Sequence, residues 1–191
     1  ETVYLNYIQN VNFYHNNINA TGVGTGLYYV SGSGQNINLI NNNIKSNGYS
    51  IDVINPAAID QINYNNYFTS GATLARWNNV DRPTLIALQG ATGQDANSLS
   101  VDPQYQSSSD LTTLASSIAG AGFDLTAVVP TDINSSIRTI PVSIGATQYS
   151  AAFAKDGSLS RIITPLNSCS LTNATDVRVE ITNLGAASIS G

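Results

Sequence analysis

The stretch Asn10-Val11-Asn12-Phe13-Tyr14-His15-Asn16-Asn17-Ile18 returns as Asn36-Ile37-Asn38-Leu39-Ile40-Asn41-Asn42-Asn43-Ile44. It returns again, shortened, as Gln61-Ile62-Asn63-Tyr64-Asn65-Asn66-Tyr67. Matching positions lie roughly 25 residues apart, inside the 20–50-residue range of stacked repeat architectures. In each copy Val11, Phe13, Ile37, Leu39, Ile62 and Tyr64 alternate with polar residues. An extended chain with that alternation has one apolar side and one polar side. The asparagine run then turns the chain, because Asn tolerates left-handed backbone angles and its side chain bonds nearby backbone groups. Ile18, Ile44 and Phe68 follow the turns and are expected to point back inside.

A second strand per repeat lies between these copies, Gly26-Leu27-Tyr28-Tyr29-Val30 and then Ser50-Ile51-Asp52-Val53-Ile54, with glycines at the corners. Strand, turn, strand and corner at this period, with no helical pattern between them, predict an all-β chain. The expected fold is a right-handed parallel β-helix, a solenoid with rungs of about 25 residues. Equivalent asparagines would then stack as a ladder, Asn16/Asn41/Asn65 or the neighbouring Asn17/Asn42/Asn66. Each buried amide would donate to one rung and accept from the next. On that reading Asn41→Leu destabilises the coil.

The chain has 191 residues, a net charge of −5 and few charged side chains. Its seven Lys and Arg are scattered, which argues against a nucleic-acid surface. No apolar run is long enough to cross a bilayer. Met is absent, even at position 1, so a processed product or an excerpt of a longer chain is expected. The opening strand-like residues 1–9 carry no cap, and further rungs are expected before them. Cys169 is the sole cysteine, and in an exported protein its partner would lie elsewhere.

Along the chain, three parts are expected: closing rungs and cap of the coil over 1–149, a linker over 150–158, and alternating strands over 159–191. One short helix is expected after Asp81-Arg82-Pro83, with Pro83 in its first turn, Leu85 and Leu88 on one face, and Gly90 or Gly93 at its end. It should pack near Trp77. The short apolar pieces from Asn97 to Ala146 read as irregular last rungs and a terminal cap.

Several motifs in residues 60–149 carry a resemblance. They are Asn63-Tyr64-Asn65-Asn66-Tyr67, Ala91-Thr92-Gly93-Gln94-Asp95-Ala96-Asn97-Ser98 and Val101-Asp102-Pro103. Thr131-Asp132-Ile133-Asn134-Ser135-Ser136-Ile137-Arg138 and Ser143-Ile144-Gly145-Ala146-Thr147-Gln148-Tyr149 complete them. Together they resemble the closing segment of pectate-lyase-like parallel β-helix proteins secreted by the Bacteroidota. In that signature the last two motifs run Thr-Asp-Ile-Asp-Gly-x-x-Arg and Asp-Ile-Gly-Ala-Asp-Glu-Tyr/Phe, so several acidic positions are neutral here. Residues 159–191 look like the opening strands of the immunoglobulin-like modules that follow such β-helices. Two strands cannot make a sandwich. The resemblance implies export by the type IX route and an extracellular or cell-surface location.

Candidate chemistry is sparse. His15 stands alone, without metal-ligand spacing, and reads as a surface or turn residue. Lys45, Asp52 and Asp60 are the charged candidates in the rungs, but they fall on different parts of the coil and read as solvated turn charges. Gly22-Val23-Gly24-Thr25-Gly26 lacks the helix and Lys of a phosphate-binding loop. No catalytic, cofactor or metal constellation stands out. Tyr28, Tyr29, Tyr49, Tyr64 and Tyr67 are candidates for a stripe that stacks on sugar rings, although alternation must place some of them in the core. The leading expectation is a non-enzymatic structural or adhesive segment whose partners are extracellular glycans or other surface proteins. The alternatives are a glycan-binding surface and the tail of a polysaccharide lyase or hydrolase.

Overall fold

A computed structural model describes residues 2–30, 35–148, 157–164 and 177–183. The chain divides into two units, Glu1–Tyr149 and Ser150–Gly191.

The first unit is a parallel β-helix of three sheets. The first sheet stacks β1 (Val3–Asn6), β4 (Leu27–Val30), β7 (Ile51–Val53) and β10 (Ala75–Trp77) in parallel. An antiparallel strand, β11 (Val80–Arg82), closes its edge. The second sheet stacks β2 (Val11–Tyr14), β5 (Ile37–Ile40) and β8 (Ile59–Asn63), and the third stacks β3 (Asn17–Ala20), β6 (Asn43–Ser46) and β9 (Asn66–Thr69).

Alternation decides what fills the coil. Leu27, Ile51 and Ala75 stack in one interior column, Tyr29, Val53 and Trp77 in the next. Ile18, Ile44 and Tyr67 form a third. Each large side chain fully removed from water contributes about 1.5–3 kcal/mol. The interior place after the third turn therefore belongs to Tyr67, not to the expected Phe68, whose ring lies outside under the Lys45 ammonium at 5.4 Å.

The corner between the second and third sheets takes two residues. Its first, His15, Asn41 or Tyr64, adopts left-handed angles with φ of 54°, 60° and 56°. Its second, Asn16, Asn42 or Asn65, turns inward. The amide of Asn16 donates to Asn42 Oδ1 at 2.9 Å, and that of Asn42 donates to Asn65 Oδ1 at 3.0 Å. The same two oxygens accept the backbone N–H of Asn16 and Asn42. Asn42 and Asn65 also donate to Phe13 O and Leu39 O, so each amide ties three chain segments. The asparagine ladder is thus Asn16/Asn42/Asn65. A second column, Asn17/Asn43/Asn66, lies on the outer side, and Asn66 donates to Asn43 Oδ1 at 2.8 Å. Asn41 belongs to neither, since it occupies the His15 position. The expected pairings of Asn41 with Asn16 and of Asn42 with Asn17 are off by one. The run Asn41-Asn42-Asn43 offers two registers, and the turn geometry selects the other.

The helix α1 (Leu85–Thr92) starts two residues after Pro83, which precedes the cap and is not in the first turn as expected; the Thr84 hydroxyl caps it by accepting from Ala87 N–H, and it ends on Gly93 at φ 67°. It buries Leu88 in the same core as Trp77. Beyond it, the Gln94 side chain and Asp95 N–H pair with both backbone groups of Ile62, and Leu99 bridges to Asn66, so this segment stands in for a fourth rung.

Residues 99–148 do not add rungs. They run back along the asparagine corner as an irregular strap. Asn66 donates to Val101 O, Asn17 to Leu111 O and Asn41 to Phe123 O, while Asn41 Oδ1 accepts Phe123 N–H and Asn17 Oδ1 accepts Ala146 N–H. A side-chain amide offers the donor and acceptor of a peptide group, so these bonds replace a sheet ladder. Gly145, at φ 96°, is required where the strap meets Asn17, because a Cβ there would lie 2.2 Å from Asn17 Oδ1.

The second unit contains an antiparallel pair, β12 (Gly157–Thr164) and β13 (Arg178–Asn183), with Arg161 bonded to Glu180. Residues 150–156 of the expected linker and Cys169 lie outside the described residues.

Asn42→Leu is expected to cost about 3 kcal/mol or more, since it takes the acceptor from the Asn16 N–H and amide, the amide donor from Phe13 O, and one of the two donors from Asn65 Oδ1. Asn12→Ala, in the exposed Asn12–Asn38 pair, should cost no more than about 0.5 kcal/mol. Urea denaturation of both variants measures the difference; equal losses would contradict a buried ladder.

Candidate functional site

The outer side of the first sheet carries a column set by its register: Tyr4, Tyr28, Asp52, Arg76 and Asp81 are successive neighbours across the strands. The rings of Tyr4 and Tyr28 lie 5.5 Å apart. Arg76 holds Asp52 with two bonds, Nε at 3.0 Å and Nη2 at 2.5 Å, although Asp52 is itself buried. The guanidinium also lies 5.3 Å from the centre of the Tyr49 ring, and Tyr49 donates to Asp81 Oδ1 at 2.8 Å. The bond to Asp81 pushes the Tyr49 phenol above its ordinary pKa, and the bonds to Asp52 raise that of Arg76. This face combines aromatic rings with a fixed polar cluster, a surface suited to stacking on a sugar and bonding its hydroxyls.

Of the five tyrosines singled out in the sequence, the structure places Tyr28 and Tyr49 on this face. Tyr29 and Tyr67 are wholly buried and cannot stack on a ligand; if Tyr28 points outward, its neighbour must point inward. Tyr64 lies at the asparagine corner, its ring 5.3 Å from that of Phe123 in the strap. Lys45, Asp52 and Asp60 fall on three different sheets, β6, β7 and β8. They are strand residues and not turn charges. Lys45 pairs with Asp102 at 2.8 Å, and Asp52 is not solvated. Tyr4, Arg76 and Asp81 were not among the sequence candidates. Their signal is the interval itself, since Tyr4, Tyr28, Asp52 and Arg76 recur every 24 residues.

Of the reading of His15 as a surface or turn residue, the turn holds and the surface does not: it stands at the corner with φ 54°, but the strap covers it and it is buried. Nδ1–H donates to Gly145 O at 3.2 Å, and Nε2 accepts from the Asn41 amide at 2.9 Å. Burial, then the nearby Arg138 charge, lowers its pKa to about 4, so the ring is neutral at pH 7. At the other end of the ladder, Asn65 N–H donates to Ser98 Oγ, and Ser98 donates to Asp95 Oδ1 at 2.6 Å. Tyr67 donates to the same oxygen. Burial raises the Asp95 pKa to about 7 against these bonds, and burial, then Asp95, pushes the Tyr67 phenol well above its ordinary value.

Among the described residues no three His, Cys, Asp or Glu side chains gather as metal ligands. No helix is long and apolar enough to cross a membrane among them. Comparison of the chain with family models, with curated proteins and with solved structures finds no match.

Two of the buried titratable groups, Asp95 and His15, act in opposite directions. Asp95, with its pKa raised from 3.8 to about 7, contributes most below pH 4 and loses that contribution as pH rises toward 7. His15, lowered from 6.5 to about 4, contributes fully above pH 6.5 and loses it as pH falls toward 4. Asp95→Asn should therefore gain on the parent protein as pH rises from 4 to 7, by up to about 1.4 kcal/mol per pH unit. His15→Asn should gain on it as pH falls from 6.5 to 4. Urea titrations across this range test both, and offsets that stay constant with pH would refute the assignments.

Proposed function

We propose that this chain is a structural and adhesive segment of a secreted, cell-surface protein, and that the outer face of its first sheet contacts an extracellular glycan. The carrying observation is the register column: two adjacent tyrosine rings, Tyr4 and Tyr28, tilted 45° to each other, run into a clamped polar cluster of Asp52, Arg76, Tyr49 and Asp81. Aromatic faces pack on the apolar face of a sugar ring, and prefixed donors and acceptors bond its hydroxyls without the cost of ordering them.

Two further points support the non-enzymatic form of this reading. Asp52 is committed to two bonds with Arg76 and Asp81 accepts from Tyr49, so these carboxylates serve the shape of the surface. The second is the resemblance of residues 60–149 to the closing segment of β-helix proteins secreted by the Bacteroidota. It supports an exported chain, the type IX route and an immunoglobulin-like continuation of β12 and β13. A stack of short, hydrogen-bonded rungs is stiff along its axis and serves as a stalk that holds such a face away from a cell.

Binding to a panel of neutral and acidic polysaccharides, followed by calorimetry on the best ligand, tests the proposal. Tyr4→Ala and Tyr28→Ala should each weaken binding roughly tenfold. Tyr14→Ala, on the second sheet, should leave it unchanged. Equal losses from all three substitutions would refute the glycan face, and release of unsaturated or reducing ends from pectin or alginate would refute the non-enzymatic role.

A further inference from the structure

The first rung meets the rest of the coil on one side only. β1, β2 and β3 each pair with a single parallel strand, β4, β5 and β6 in turn. The side chains they turn inward, Val3, Leu5, Val11 and Phe13, are half-buried, whereas their partners one rung on, Leu27, Tyr29, Ile37 and Leu39, are at most 2% exposed. Val3 N–H bonds Gly26 O, so by alternation the backbone groups of Tyr4 and Asn6 face the open side. An apolar cross-section with open strand edges is a template for further pairing.

The asparagine ladder has a direction, and that direction says what fits. Asn16 Nδ2 donates to two oxygens, Tyr14 O and Asn42 Oδ1, each at 2.9 Å, which fixes how its amide is turned. Its Oδ1 accepts no hydrogen bond among the described residues. On the next two rungs the same oxygen, of Asn42 and then of Asn65, accepts both the backbone N–H and the amide of the asparagine before it. Asn16 Oδ1 is thus a ladder acceptor without its donors, and by its equivalence to the other two it faces the open side. A second copy of the chain does not supply them. The far end of the coil is closed, since Gln94, Asp95 and Leu99 bond to the third rung and β11 covers β10. Two copies meeting at their open ends, with the Asn16 corners in register, would set acceptor against acceptor.

We propose that this end is an interface for one further rung of parallel β-helix, running in the same direction, with an asparagine as the second residue of its corner. The amide and N–H of that asparagine bond Asn16 Oδ1, and its three short strands bond the open edges of β1, β2 and β3. The occupant belongs to the polypeptide that enters at Thr2, whose N–H already bonds Thr25 O and so arrives in register from the corner where a rung ends. Bonded amides polarise one another, so the added rung also strengthens the ladder it joins.

Extending the whole chain tests this, with a copy of residues 3–26, one rung of the first-sheet register, inserted before Val3. Tm should rise by about 4 °C or more, and the N–H groups of Tyr4 and Asn6 should become protected from hydrogen exchange. Asn16→Leu made in the copy alone should remove roughly half of the rise or more. No rise, or a rise undiminished by that substitution, would overturn the proposal. If this extension does not fold, residues 27–50 serve as the added rung, with Asn42→Leu in the copy as the control, and failure of both extensions overturns it. Sedimentation equilibrium of the parent protein tests the other occupant. A monomer is expected, and a dimer that the added rung dissolves would identify a second copy and overturn the proposal.

Discussion

The first unit depends on one constraint: a two-residue corner must reverse the chain while leaving no backbone group of a buried turn unsatisfied. Left-handed angles at His15, Asn41 and Tyr64 make the corner tight, and they also take the next peptide N–H out of the sheet ladder. The inward amides of Asn42 and Asn65 return an acceptor to that N–H, and those of Asn16, Asn42 and Asn65 donate to a carbonyl as well. Replacing Asn42 disturbs its neighbours in both directions along the stack, because it accepts from Asn16 and donates to Asn65. Such chains of bonds polarise each other in a low-dielectric interior, and an incomplete chain is worse than none. That explains how the ladder ends. Ser98 takes the place of the next asparagine, and Asp95 receives its hydroxyl.

The outer column obeys the same chemistry and has a different result. Asn17 and Asn66 face outward at the corner, and with Asn41 they bind the backbone of residues 99–148. The strap is covered by no regular sheet and needs none, since amide side chains supply its pairing. It in turn buries His15 and Arg138. The polar interior of this protein is therefore a consequence of how a solenoid corner is closed.

The alternation of Val11, Phe13, Ile37, Leu39 and Ile62 and the recurring asparagine run make the solenoid legible in the sequence. Both signals are local and arise from period-two geometry. The ladder register was not legible. Three consecutive asparagines at 41–43 face two at 16–17 and two at 65–66, and only the backbone angles of the corner say which one turns inward. The strap left no periodic trace because side-chain to backbone bonds impose no spacing on the chain they hold. That is why His15 reads as exposed in one dimension. The column through Asp52 was present as an interval of 24. A search for a second carboxylate one rung away passes over Arg76, because the residue at that step is the opposite charge.

That interval also explains why the column from Tyr4 to Arg76 lies where it does. In the second sheet the step from Val11 to Ile37 is 26 residues, and the next is 22 from Ile37 to Ile59 but 23 from Asn38 to Gln61, across a register shift. In the third sheet the steps are 26 and 23 residues, from Asn17 to Asn43 to Asn66. The first sheet keeps 24 throughout, from Val3 to Leu27, Ile51 and Ala75. Length changes are absorbed in the loops beside the other two sheets, so side chains on the first stay in line one strand spacing apart, about 4.8 Å. Tyr4 and Tyr28 meet, and Arg76 reaches Asp52, because no insertion displaces one rung against the next. The proposed glycan contact rests on that constancy more than on any single residue, and among the described strands of the coil the first sheet alone maintains it.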